Sequence, residues 1–147
     1  MTQRIIFYLA ISLMSIGSVA FAVDAMVVTD EERILTFIET VTGEVRADRI
    51  DAALHYVDPV RQPVEITIGE QRDTYSAAQS LNLTTRTREA LEPMLGKQIR
   101  LIQHHLQIDN DRVHVTLRAA TPSGAFNVFF TLARHGDGWL IQRMRLS

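Results

Sequence analysis

Four apolar-rich segments close this chain, and the turns between them leave little choice of fold. Residues 97–109, 112–120, 125–134 and 139–146 are separated by Asn110-Asp111, Thr121-Pro122-Ser123-Gly124 and His135-Gly136-Asp137-Gly138. These are turn compositions at hairpin lengths, so the segments read as consecutive antiparallel strands. Side chains alternate faces along a strand, which makes Val113, Val115 and Leu117 one apolar face. Such a face belongs opposite apolar partners. A two-residue Asn110-Asp111 turn supplies them, pairing Ile108 with Val113, Leu106 with Val115 and His104 with Leu117. A slip of one residue would set the two valines against Gln107 and His105.

The segments before the strands are mostly helical. Thr29 and Glu32 form a capping box, and Ile34, Leu35, Ile38 and Val41 follow at helical spacing up to Gly43. Asp48 is placed to cap a second helix carrying Ile50, Ala53, Leu54 and Val57, with Asp58-Pro59 as its stop. Val64, Ile66 and Ile68 alternate with Glu65 and Thr67, which predicts a strand ending in a Gly69-Glu70 turn. Residues 76–95 favour a third helix, with Pro93 late in it and Gly96 past its end. Helices followed by a run of strands make an α+β domain in which the helices pack on one sheet face.

Extending the alternation places Phe126, Val128, Phe130 and Leu132 on the helix-facing side, then Trp139 and Ile141, then Arg143 and Arg145. His104 shares that inner face. His105 and His114 fall on the outer face, so the doubled histidine is not a pair. His105 and His114 would be diagonal neighbours about 7–8 Å apart, and without further ligands they make no metal site. Two inward arginines would be costly unless paired or wet, or they could hold a carboxylate or phosphate through their forked donors. The outer face, with Phe129, Leu140, Met144 and Leu146 beside the histidines, is apolar enough to meet a second copy of the chain. Asp58 reads as a turn aspartate and Trp139 as core. No glycine-rich phosphate loop, serine-nucleophile elbow or zinc-protease helix motif occurs.

The N-terminus carries an address. Arg4 precedes an uncharged, mostly apolar run, and Ala20-Phe21-Ala22 fits the small-x-small rule of a signal peptidase site, with cleavage after Ala22 or Ala25. The rival is a retained anchor, since 5–22 reaches the short limit of a spanning helix; the chain would then be an anchored accessory subunit. The small-residue site favours a leader over 1–22, a domain over 29–147, a periplasmic or secreted location and no stable membrane insertion after cleavage. The formal net charge of −2 gives nucleic acid no basic face to meet. There is no cysteine, which excludes disulfides, thiolate metal sites, a cysteine nucleophile and a lipid-bearing N-terminal cysteine. Such a domain depends on its core alone, and roughly 120 residues suffice for one.

With these elements in order, the chain resembles the nuclear transport factor 2-like superfamily, the SnoaL-like, cystatin-like cone in which helices close a curved sheet into a pocket. The likeness rests on Leu54-His55-Tyr56-Val57-Asp58-Pro59, on the hairpin Ile108-Asp109-Asn110-Asp111-Arg112-Val113-His114-Val115 and on Asp137-Gly138-Trp139-Leu140-Ile141. It runs from about Thr29 to Leu146. The resemblance implies a cone with a pocket. It does not by itself imply a reaction, because the superfamily holds cyclases, isomerases and dehydratases alongside carrier and oligomerisation modules.

The expected role is non-catalytic. The chain would bind a small anionic or apolar ligand in the cone through His104, Arg143, Arg145 and Tyr56, or a protein partner on the outer sheet face, where a homodimer can form. No cofactor and no metal are expected. The alternative is a lyase or isomerase with His104 as acid/base and an arginine as the electrophilic group. The leader is the part open to direct measurement. Intact mass spectrometry of the exported protein is expected to find an N-terminus at Val23 or Met26, and a mass retaining Met1 would establish the anchor instead.

Overall fold

A computed structural model describes residues 29–147, and the expected leader lies outside them. Residues Leu35–Ser147 form one compact unit, which holds the sheet. Helix α1, Asp30–Val41, opens with the expected reciprocal cap. Glu32 N–H donates to Thr29 Oγ1 at 3.2 Å, and Thr29 N–H donates to a Glu32 carboxylate oxygen at 2.9 Å. Past Gly43 the chain makes a short strand β1, Gly43–Glu44, and then helix α2, Ala47–Leu54. Asp48 does not cap α2 as expected. Arg46 is the N-cap residue, and Asp48 sits inside the first turn, paired with the Arg46 guanidinium. A carboxylate there still faces the positive end of the helix dipole. The helix also stops at Leu54, before Asp58-Pro59. Asp58 instead starts the next turn, its carboxylate accepting from Val60 N–H at 3.2 Å.

Strand β2 is Val64–Ile68, and the Gly69-Glu70 turn leads into strand β3, Gln71–Tyr75. The sequence gives β3 no apolar alternation: Gln71 to Thr74 are exposed, so the pattern that announces a half-buried strand is missing. A 3₁₀ turn, Ala77–Gln79, then opens helix α3, Ser80–Leu91. Pro93 falls in a final 3₁₀ turn, Glu92–Met94, and Gly96 takes a φ of 81°.

Four long strands follow: β4 Gln98–Asp109, β5 Arg112–Thr121, β6 Gly124–His135 and β7 Gly138–Leu146. The hairpin register is the expected one, with Ile108 opposite Val113, Leu106 opposite Val115 and His104 opposite Leu117. The curved, unclosed sheet has the order β1-β4-β5-β6-β7-β2-β3. It is mixed, because β2 runs parallel to β7 while the other neighbours are antiparallel. A parallel pair needs a long connection, and the rest of the chain between β2 and β7 is that connection.

The inner face carries the core. Val113, Val115, Leu117 and Ala119 of β5 are buried, with Val128, Phe130 and Leu132 of β6 beside them. Phe37 of α1 is fully buried and meets Phe130 edge to face at 5.0 Å between centroids. Trp139 is buried on the same face under the Arg134 guanidinium, 4.4 Å above its ring.

Strand β7 departs from the alternation. Leu132 pairs with Ile141, but Thr131 pairs with Arg143 and Phe130 with Met144, so Gln142 is an extra residue. A bulge of one residue exchanges the faces of everything after it. Met144 and Leu146 therefore lie opposite the inner residues Phe130 and Val128, and Arg143 and Arg145 lie opposite Thr131 and Phe129 on the outer face. The inward placement expected for both arginines is thus corrected, and Met144 and Leu146 leave the outer face. Truncating Met144 to Ala is expected to cost about 1–2 kcal/mol in urea denaturation, and Arg143→Ala less than about 0.5 kcal/mol. The opposite ranking would put the bulge elsewhere.

Candidate functional site

A cavity of about 220 Å³ lies between the helices and the inner sheet face. The end of α1 contributes Thr40 and Val41, and the turn after it Thr42 to Val45. From α2 come Arg49, Ile50, Ala53 and Leu54, three of them on the apolar stripe that makes this helix amphipathic. Leu83, Thr87 and Leu91 of α3 recur at i, i+4 and i+8 and form one wall. The floor is Phe130, Ile141 and Met144, with Val64 and Ile66 brought alongside by the parallel β2–β7 pair. Asp51 and Arg88 link α2 to α3 across the outside as an exposed ion pair.

The lining is apolar apart from a few groups. The hydroxyls of Thr40, Thr42 and Thr87 each donate to the carbonyl four residues back in their own chain turn, at 2.7–2.8 Å. That leaves their oxygens as acceptors. Glu44 is exposed and marks where the cavity meets solvent. Arg49 is the one other ionisable group in the wall among the described residues. Its Nη2 donates to the carbonyls of Glu39 and Thr42 at the end of α1, the latter at 2.5 Å, while its Nε is buried without a partner.

Gly43 makes the approach of that guanidinium feasible. Its φ is +87°, a region that side chains with a Cβ avoid. A Cβ there would also stand 3.0 Å from Arg49 Nη2.

The residues singled out in the sequence are not gathered at this cavity. His104 shares the face of Leu117 as expected, yet it is exposed and outside the lining. Its face-mates Leu106 and Ile108 are half-buried and 41% exposed, so the helical layer does not reach this half of β4. Arg143 and Arg145 stand on the other side of the sheet, where Arg143 Nε lies 3.3 Å from a Glu65 carboxylate oxygen that also meets Arg72. Tyr56 is behind the wall. Its ring meets Phe37 edge to face at 4.9 Å, and its carbonyl accepts from Ile141 N–H at 2.7 Å. Burial pushes its phenol above the ordinary tyrosine value, and a hydrogen bond with the Thr40 side chain pulls the other way. His105 and His114 are both exposed on the outer face, and His114 Nδ1 lies 3.3 Å from Thr131 Oγ1.

Arg49 was legible only in part. It stands one residue before the apolar stripe of α2, four before Ala53, which puts a charge on the edge of a core-facing surface. That an arginine reaches back to α1 depends on Gly43, and no spacing rule connects the two.

No family model matches the chain, and no curated protein does. Solved structures do. A ketosteroid isomerase-like protein of Parabacteroides distasonis, 14% identical, aligns over 81% of this chain and 87% of its own, with a TM-score of 0.59. A Nostoc punctiforme protein of unknown function with a cystatin-like fold, 11% identical, aligns over 82% of this chain and 93% of its own, at 0.58. An NTF2-like design, 16% identical, aligns over 81% of this chain and its whole length, at 0.54. The fold is therefore the nuclear transport factor 2-like cone, an α+β architecture of helices on a curved sheet. At these identities the likeness is one of fold.

The contact between Gly43 and Arg49 can be tested directly. Gly43→Ala is expected to destabilise the protein by roughly 1–3 kcal/mol, from backbone strain and the displaced guanidinium. Equilibrium denaturation measures it, and a loss under about 0.5 kcal/mol would mean that the position tolerates a side chain.

Proposed function

We propose that this is a non-catalytic binding protein whose cavity takes up a small, largely apolar molecule. The observation that carries the reading is the chemistry of the wall. Among the described residues, the lining offers aliphatic and aromatic surface, three threonine oxygens and one guanidinium, and its sole carboxylate, Glu44, is exposed. Pockets built to hold a ligand share this plan, apolar walls with a few fixed polar groups.

An isomerase-type reaction is the alternative raised by the likeness to ketosteroid isomerase-like proteins. Proton transfer requires an acid or base within hydrogen-bond reach of the substrate, directly or through one water. Among the described residues, His104 lies outside the lining, no aspartate or histidine is part of it, and its one carboxylate, Glu44, is exposed. The wall favours holding a molecule over transforming it. The leader-like N-terminus supports an exported setting for this binding.

The test uses a neutral apolar probe. Addition of 1-octanol is expected to shift the methyl resonances of Ile66, Leu83 and Met144, and Ala53→Phe, which fills the cavity, is expected to abolish the shifts while the fold persists. His104→Ala should leave them unchanged. Shifts confined to the outer face, or indifferent to Ala53→Phe, would defeat the reading.

A further inference from the structure

We infer that the cavity selects an apolar monocarboxylate and that Arg49 holds its carboxylate; the inference rests on the binding role proposed above. A guanidinium is charged at every physiological pH. Placing one in an apolar wall is costly unless acceptors and a countercharge meet it. Arg49 is only half provided for. Its Nη2 is satisfied by the carbonyls of Glu39 and Thr42, which explains the side chain as a tie to the negative end of α1. That tie leaves the other two nitrogens unexplained. Nε is buried with no acceptor, and Nη1 makes no hydrogen bond among the described residues. Arg49 also forms no ion pair with a described carboxylate, although Asp51 and Asp48 on the same helix each take a different arginine. With no described carboxylate beside it, the guanidinium therefore brings a charge and the spare donors of Nη1 to a cavity otherwise lined by hydrocarbon, while Nε is enclosed behind them.

The partner that completes such a group is an anion with planar oxygens, and the cavity adds the demand for an apolar body. Size narrows the class. A dry cavity of about 150 Å³ holds benzene, so the 220 Å³ here has room for roughly ten non-hydrogen atoms. A straight-chain acid of eight carbons, or an arylacetic acid, fits that description. Phosphate or sulfate alone would leave the hydrocarbon wall unfilled.

Calorimetric titration of the full chain with octanoate, 1-octanol and octylamine tests the inference. Octanoate is expected to bind about tenfold or more tightly than 1-octanol, the usual worth of a charge-assisted hydrogen bond, and octylamine least. Arg49→Gln should bring octanoate down to the level of 1-octanol while 1-octanol stays within about twofold. Arg49→Lys should recover part of the preference. Should Arg49→Gln not fold, the wild-type chain still decides: its Arg49 Nε–H resonance is expected to move with octanoate and to stay with 1-octanol. If 1-octanol binds as well as octanoate, or the resonance ignores octanoate, selection by Arg49 is overturned and cavity binding stands. If neither ligand binds, both readings fall.

Discussion

The strict alternation of side chains along β5 and β6 is what the rest of this structure depends on. Val113, Val115, Leu117 and Ala119 offer one unbroken apolar stripe, and Val128, Phe130 and Leu132 extend it across the next strand. A helical layer can cover only one side of such a sheet, so the stripe decides where α1 lies through Phe37. Because the stripe admits one register with β4, the two-residue turn at Asn110-Asp111 and the burial pattern agree with each other. The cavity is a consequence of the same arrangement. The helices follow the stripe, and where β7 and β2 curve past them a space is left between Phe130, Met144 and Leu83.

Where the alternation is unbroken, the chain is readable from its residues. The four long strands, their turns, the hairpin register and the opening cap of α1 all follow from period-two and capping rules. The reading fails where one residue interrupts the count. At Gln142 the bulge exchanges faces, and nothing in Leu140-Ile141-Gln142-Arg143-Met144 reveals it, since either phase leaves apolar residues on both sides. Strand β3 fails for a different reason. It is an edge strand with exposed side chains, so no burial pattern marks it. Its existence follows from the turn at Gly69-Glu70 and the ladder opposite β2.

The same distinction separates the site from the fold. Alternation puts His104 on the face of Leu117, where it lies, but a face is not a depth, and the reach of the helical layer is set by packing that local sequence does not express. Arg49 is the converse case. Its importance comes from a positive-φ glycine six residues earlier and from the carbonyls at the end of another helix. Three separate elements meet at one guanidinium, and only tertiary structure brings them together.

The two rims of the sheet carry a further consequence. Among the described residues, β1 covers only the start of β4 and β3 closes the opposite side, so long stretches of backbone on β4 and β3 have a flank that no described strand pairs with. An open flank is a template onto which another unfolded chain can add itself. Both rims are poor templates here. β3 bears Arg72 and Asp73, while β4 is broken by an irregularity between Leu101 and Gln103 and then runs through Gln103, His104, His105 and Gln107. For a chain without a disulfide to hold it shut, that fringe of charge and polarity guards against aggregation, and the doubled histidine is part of it.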